Sequence, residues 1–171
     1  TTNLTAFFRE QHHFEVLHQM LAAKRSHNWR IWCCAASTGE EPYSIAMTVA
    51  ETLGLHAQVK ILCSDIDTNV LTTASRGVYD ESSRGLSPAR MRMFFLRGKA
   101  GNAGQIRVKP ELARLVEFKP FNLMQPQWSL GEPFDIVFCR NVMIYFDGPT
   151  QRKVLERIHG VMRPDGTLFV G

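Results

Sequence analysis

Arg30-Ile-Trp-Cys-Cys-Ala-Ala-Ser-Thr-Gly-Glu-Glu-Pro-Tyr-Ser44 is the stretch on which the reading of the fold turns. After Arg30 it runs apolar as far as Ala36, a short β-rich run of the length of a strand. The run stops in Ser37-Thr38-Gly39-Glu40-Glu41. Pro42 then suits a first helical turn, and Ile45, Ala46, Val49, Ala50 and Leu53 form one apolar stripe that Gly54 brings to an end. Strand, polar loop and helix in that order open a parallel β-α-β unit.

The same rhythm recurs downstream. Val59 to Ser64 reads as a second strand, with Asp67 placed to cap a short helix that closes near Gly77. Leu115 to Phe121 and Phe134 to Cys139 are further strand candidates. Pro149 opens a helix whose inner face is Val154, Leu155, Ile158, Val161 and Met162, and Asp165-Gly166 turns the chain into Thr167 to Val170. The expected fold is α/β, a Rossmann-like parallel sheet covered by helices. Between Asp80 and Leu115 the rhythm breaks: a helix start at Ser87-Pro88, a Gly-rich turn from Gly98 to Gly104, and Gln105-Ile-Arg-Val108 predict an inserted helix and hairpin over about 82–114. The whole of 1–171 is read as one domain, a fragment that lacks the closing C-terminal strands.

Composition narrows the class. With 44% hydrophobic and 21% charged residues and no apolar run near the length of a bilayer span, membrane insertion is excluded from the reading. The first ten residues lack a signal peptide's basic start and apolar core, so the cytoplasm is the expected location. A net charge of +4 favours an acidic partner without calling for nucleic acid. Cys33, Cys34, Cys63 and Cys139 lie in or beside apolar runs, which predicts reduced, buried thiols. Neither they nor the six histidines show metal-ligand spacing, and no metal is expected.

In open α/β sheets ligands bind beyond the carboxyl ends of the strands, so the loop after the first strand matters most. Ala35-Ala36-Ser37-Thr38-Gly39 has the small side chains that allow close backbone approach, but only one glycine and no Walker lysine. Glu40 and Glu41 follow, disfavouring a polyphosphate and favouring a cationic or zwitterionic ligand. S-adenosylmethionine, with its sulfonium and ammonium groups, meets that demand. Asp65, at the end of the second strand and near the usual offset of about 20 residues, suits the ribose diol. Asp65 read as a turn residue, and Glu41 read as a helix N-terminal carboxylate, remain open at this point.

Five segments taken together carry a resemblance: Thr2-Asn-Leu-Thr-Ala-Phe-Phe-Arg9, Ala36-Ser-Thr-Gly-Glu-Glu-Pro-Tyr-Ser44, Ser64-Asp-Ile-Asp67, Phe121-Asn-Leu123 and Phe138-Cys-Arg-Asn-Val-Met-Ile-Tyr-Phe146. In this order they resemble the chemotaxis receptor methyltransferases, the CheR family, over essentially the whole chain. The resemblance implies methyl transfer from S-adenosylmethionine to glutamate side chains of chemoreceptors, with S-adenosylhomocysteine as the other product. It implies that Asn3, Thr5, Arg9, Glu41, Asp65, Asn122, Leu123, Arg140 and Asn141 line the cofactor pocket. Arg9 and Tyr145 are the expected catalytic residues, with Tyr145 near the transferable methyl. The expected partners are the cytoplasmic helices, and a tail peptide, of methyl-accepting receptors, approached by a monomer. Arg9 and Arg140 offer planar forks for carboxylates, either the cofactor's or the substrate's. The stretch containing Arg90, Arg92, Arg97, Lys99, Arg107 and Lys109 is either a solvated face or a docking surface for acidic helices. A non-catalytic sensor and a nicotinamide enzyme are the competing readings.

Overall fold

The computed structural model describes residues 5–171. Its elements run α1 (Gln11–Ala23), β1 (Arg30–Cys33), α2 (Glu40–Leu53), β2 (Lys60–Asp65), α3 (Thr68–Arg76), β3 (Val78–Asp80), α4 (Pro88–Phe94), β4 (Phe95–Arg97), β5 (Gln105–Val108), α5 (Pro110–Ala113), β6 (Val116–Pro120), β7 (Phe134–Phe138), α6 (Gly148–Gly160) and β8 (Met162–Phe169). Five strands form one sheet in the order β6-β2-β1-β7-β8, every pair parallel. The order reverses between β1 and β7. Such a switch point opens a crevice at the carboxyl edge of the sheet.

Alternation along β1 sends Ile31 and Cys33 to one face and Trp32 and Cys34 to the other. The first face is covered by α1, through Phe14, Leu17 and Leu21, and by α2. Val154 and Ile158 of α6 cover the second, where Trp32 stacks on Phe134 and meets Phe121 and Trp128 edge-on. Trp32 is fully buried, and its indole nitrogen donates to Ser64 Oγ at 3.0 Å. All four cysteines are free and buried, as expected. No helix of the described residues is long and apolar enough to cross a membrane.

Predicted local signals have clear counterparts. The Asp67 side chain accepts from Asn69 N at the start of α3, and Ser87 Oγ accepts from Arg90 N at the start of α4. Three features depart from expectation. Helix α1 has no start signal in the sequence: Glu10 at its N-cap is left-handed and makes no side-chain cap, although Phe14, Leu17 and Leu21 carry the helical spacing and His12-His13 suit a helix surface. Asp165-Gly166 does not precede the last strand but lies inside it. Met162 pairs with Phe134 and Thr167 with Ile136, so the residues between loop out as a bulge. The insertion is a three-stranded antiparallel sheet in the order β3-β5-β4 rather than a hairpin, because Val78–Asp80 pairs with Gln105–Arg107.

The N-terminal segment locks this small sheet to the large one. Phe7 N donates to Arg84 O, and the Phe7 ring meets Tyr79 and Phe95 edge-on. Phe8 N donates to Ser44 Oγ on α2, while Arg90 lies over the Phe8 ring and pairs with both Glu51 oxygens. Gly85, at φ 89°, brings its Cα so close to the Phe7 carbonyl that a Cβ there would overlap it. Gly54, at φ 95°, has open space around it. Gly54→Ala is therefore expected to cost only backbone strain, about 1–3 kcal/mol. Gly85→Ala should cost distinctly more, since it also forces Phe7 away. Urea unfolding of the two variants checks this, and equal losses would mean that the Phe7 anchor is dispensable.

Candidate active site

At the carboxyl ends of β1, β2, β6 and β7 lies a cavity of about 420 Å³, within the size range of small-molecule sites. Each wall comes from a loop that a strand delivers: Cys34 to Ser37 after β1, Asp65 and Ile66 after β2, Phe121 to Met124 after β6, and Arg140 to Phe146 after β7. Thr5, Ala6 and Arg9 close the side nearest the N-terminal segment. Ser37 and Asn141 have left-handed φ values of 49° and 60°, a conformation that Asn tolerates better than most residues. Both turns bend the chain sharply where it leaves the sheet.

The floor is an ion pair. Arg140, its side chain 1% exposed, donates through Nε to Glu41 Oε2 at 3.0 Å and through Nη1 to the Arg9 carbonyl at 2.8 Å. His13 Nδ1 is also 2.8 Å from Nη1. Burial pushes the Glu41 carboxyl above its ordinary value of 4.5, against the pull of Arg140. Cys33 Sγ lies 3.6 Å from the other Glu41 oxygen, and burial, reinforced by Glu41, holds the thiol well above its ordinary range. This corrects the sequence reading twice. The two acids after Gly39 do not act together, since Glu40 accepts from Thr38 Oγ1 and does not border the cavity. Arg140 Nε is already engaged by Glu41, so that edge of the fork is not open to a ligand carboxylate.

Asp65 is both turn residue and wall. Its Oδ2 accepts from Ser37 N at 2.9 Å and its Oδ1 from Asp67 N at 3.0 Å, which fixes the β1 loop against the β2 loop while the carboxylate still borders the cavity. Each oxygen keeps acceptor capacity for a further donor. Asn122 Oδ1 accepts from Met124 N and shapes the β6 loop. Gly39 is a third correction. It does not border the cavity: a Cβ there would collide with the Tyr79 hydroxyl, which donates to Thr38 O at 2.7 Å. The glycine serves the packing of the small sheet on the β1 loop, not a backbone approach to a ligand.

Of the residues named from sequence, Thr5, Arg9, Glu41, Asp65 and Asn122 border the cavity. So do Leu123, Arg140, Asn141 and Tyr145. Asn3 lies outside the described residues. The sequence reading missed the apolar rim, Ile66, Phe121, Met124, Val142 and Phe146. One signal for it was available in sequence, an isoleucine held between Asp65 and Asp67 in the loop after the second strand; the structure leaves Ile66 68% exposed at the cavity. Folding also brings ligand-type atoms of Glu10, His12 and His13 within 4.8 Å of one another, a proximity that spacing did not suggest. We assign no metal there, because Arg140 engages His13 Nδ1 and the N-terminal end of a helix repels cations.

The ion pair makes a stability prediction. Arg140→Met leaves the Glu41 carboxyl buried without its partner and is expected to cost about 3 kcal/mol. Adding Glu41→Gln should cost less than the sum of the two single changes, with a coupling of about 1–3 kcal/mol. Urea unfolding of all four proteins measures it, and strict additivity would exclude the pair as a structural unit.

Comparison with known proteins gives the same direction. Residues 3–171 match the family described as CheR methyltransferase, SAM binding domain. A chemotaxis protein methyltransferase of Escherichia coli K12 is 51% identical over 173 residues, covering 100% of this chain and 60% of the relative. Chemotaxis protein methyltransferase 2 of Pseudomonas aeruginosa is 53% identical, covering 100% of this chain and 62% of the relative. The chain thus spans about three-fifths of the length of these curated relatives. In fold it is similar to the glycopeptide N-methyltransferase MtfA solved with S-adenosylmethionine, at a TM-score of 0.57 and 12% identity over 99% of this chain and 51% of that one. An O-methyltransferase family protein from Burkholderia thailandensis gives a TM-score of 0.55 at 17% identity, over 94% of this chain and 36% of that one. Motif order, sheet topology and family match coincide: the chain belongs to the CheR methyltransferases, through their SAM-binding domain.

Proposed function

We propose that this chain binds S-adenosylmethionine in the cavity at the β1/β7 crevice and serves methyl transfer to glutamate carboxylates on the cytoplasmic helices of chemoreceptors, giving glutamyl methyl esters. The observation that carries the reading is the pairing, in one cavity, of two carboxylates, Glu41 and Asp65, with an apolar rim. That set fits the group: acceptors for an ammonium and a ribose diol, and apolar surface for an adenine. When bound, S-adenosylmethionine supplies an electrophilic methyl on a cationic sulfur.

The chain's own residues then have four tasks. Asp65, held by two backbone amides, presents a fixed carboxylate to a diol. Glu41, with Arg140 neutralising part of its charge, offers a partly buried acceptor to an ammonium without an unpaired anion in the empty site. Ile66 and Met124, both bordering the cavity and exposed at 68% and 46%, gain cover when a flat apolar group packs against them. Tyr145, 60% exposed at the mouth, stands where a second substrate enters. A glutamate is already ionised near neutral pH, so no general base is required and rate depends on holding oxygen, methyl and sulfur in line. A neutral phenol orients an incoming carboxylate without gripping it as an arginine would, which matters because that charge is lost in the transition state.

Arg9→Ala is expected to weaken S-adenosylhomocysteine about tenfold or more, whereas Tyr145→Phe should lower turnover and leave affinity near wild type. Calorimetry and a methyl-transfer assay separate the two, and unchanged values in both would remove these assignments. For the reaction itself, methyl-labelled cofactor and a receptor cytoplasmic fragment should yield label released as methanol in alkali. Base-stable label would point to another acceptor atom, and no transfer despite binding would favour a sensor. Binding of NAD in place of S-adenosylhomocysteine would favour an oxidoreductase, a reading the turned-away Gly39 already weakens.

Receptor recognition is a finer proposal. The basic stretch of the insertion does not act as one surface, since Arg90 is tied to Glu51 and Phe8. Arg97, Lys99 and Arg107 remain exposed around β4, an edge strand of the small sheet that is open to strand addition. Neutralising these three together is expected to raise the receptor KM with cofactor affinity unchanged; an equal KM would leave them as a solvated face.

A further inference from the structure

Arg140 can only donate, because a guanidinium carries five N–H groups and no lone pair. Its contact with His13 at 2.8 Å is therefore a hydrogen bond only if His13 Nδ1 bears the lone pair, which places the imidazole proton on Nε2. His13 lies on α1, half-buried, with its ring 5.4 Å from Phe169 of β8. Arg140 faces it from the end of β7, with Glu41 of α2 on the far side of that guanidinium, and Glu10 Oε2 is 3.8 Å away. The neighbouring ring of His12 lies 4.3 Å off. The Arg9 carbonyl shares the same Arg140 nitrogen.

We infer that His13, a residue outside the cavity wall, is the positioning residue of the cofactor site: as a neutral acceptor on Arg140 Nη1, it aims the guanidinium so that Glu41 and the Arg9 backbone keep their places in the wall. This rests on the reading of the cavity as the cofactor site. Protonation of His13 would replace the acceptor with a donor and set two cations against each other at hydrogen-bond distance. Burial and Arg140 hold the His13 pKa below its ordinary value of 6.5, against a smaller opposing pull from Glu10. Hence the acceptor form prevails at neutral pH, and the site loosens only as pH falls below that value.

Two measurements test this. Long-range proton–nitrogen NMR of the full chain should show His13 as the Nε2–H tautomer at about pH 7.5, whether or not a ligand is present; the Nδ1–H tautomer or an imidazolium would overturn the inference. Calorimetric affinity for S-adenosylhomocysteine is then followed from about pH 8 to 5.5 in wild type, His13→Asn and His13→Phe. Asn can place an oxygen near the position of Nδ1 and does not titrate, so it should bind near wild type at pH 8 and lose less on acidification. Phe keeps the packing on Phe169 but not the acceptor, and should bind about tenfold more weakly than wild type at pH 8, with the gap closing as wild type is acidified. An acid loss as steep in His13→Asn as in wild type would assign that loss to Glu41 and overturn the inference, as would wild-type binding by His13→Phe. Wild type that shows the expected tautomer but binds no S-adenosylhomocysteine would instead refute the cofactor reading of the cavity.

Discussion

Burying a guanidinium at the carboxyl edge of a parallel sheet obliges the surrounding chain to supply lone pairs, because an unpartnered buried cation is far costlier than a paired one. Arg140 collects three: a Glu41 oxygen from α2, the Arg9 carbonyl and His13 Nδ1 from the start of α1. The phenyl rings of Phe14 and Phe138 lie beneath it, at 5.3 and 6.0 Å. One side chain thus fixes the N-terminal segment, the first two helices and the end of β7 relative to one another. The cavity wall is their common boundary.

A second set of contacts sets how the small sheet meets the large one. Tyr79 of β3 reaches back to the Thr38 carbonyl, and Phe7 wedges between Tyr79 and Phe95. Burial raises the Tyr79 hydroxyl well above its ordinary range, so it stays a donor. The small sheet is therefore seated on the same β1 loop that borders the cavity. The small sheet and the cavity thus share that loop, and Gly39 is its close-contact point with Tyr79.

Legibility from sequence followed the range of the interactions. Strands β1, β2 and β7 were plain because apolar runs bounded by Ser, Gly and Asp report local burial. The caps at Asp67 and Ser87 were plain because the bond closes within three residues. The bounds of helix α1 were not legible because its start has no capping side chain. The strand Val78–Asp80 was invisible because three residues carry no period; only pairing with β5, some thirty positions on, makes them a strand.

For the site, motif order named ten candidate residues and a ligand class, and nine of the ten border one cavity, Asn3 being the one outside the described residues. What each of them does was not available. Glu41 and Arg140 stand 99 positions apart, and nothing in linear spacing says that one arginine in a basic chain will choose one carboxylate. Gly39 read as a ligand-facing glycine until folding put Tyr79 against it, and Arg90 read as a surface charge until folding put Phe8 and Glu51 beside it. The sequence by itself determined periodicity, local caps and family, because those are written in neighbouring residues. Tertiary structure alone decided which charges are paired, which glycine is crowded and which histidine meets an arginine, because those depend on atoms that only the closed chain brings within a few ångströms.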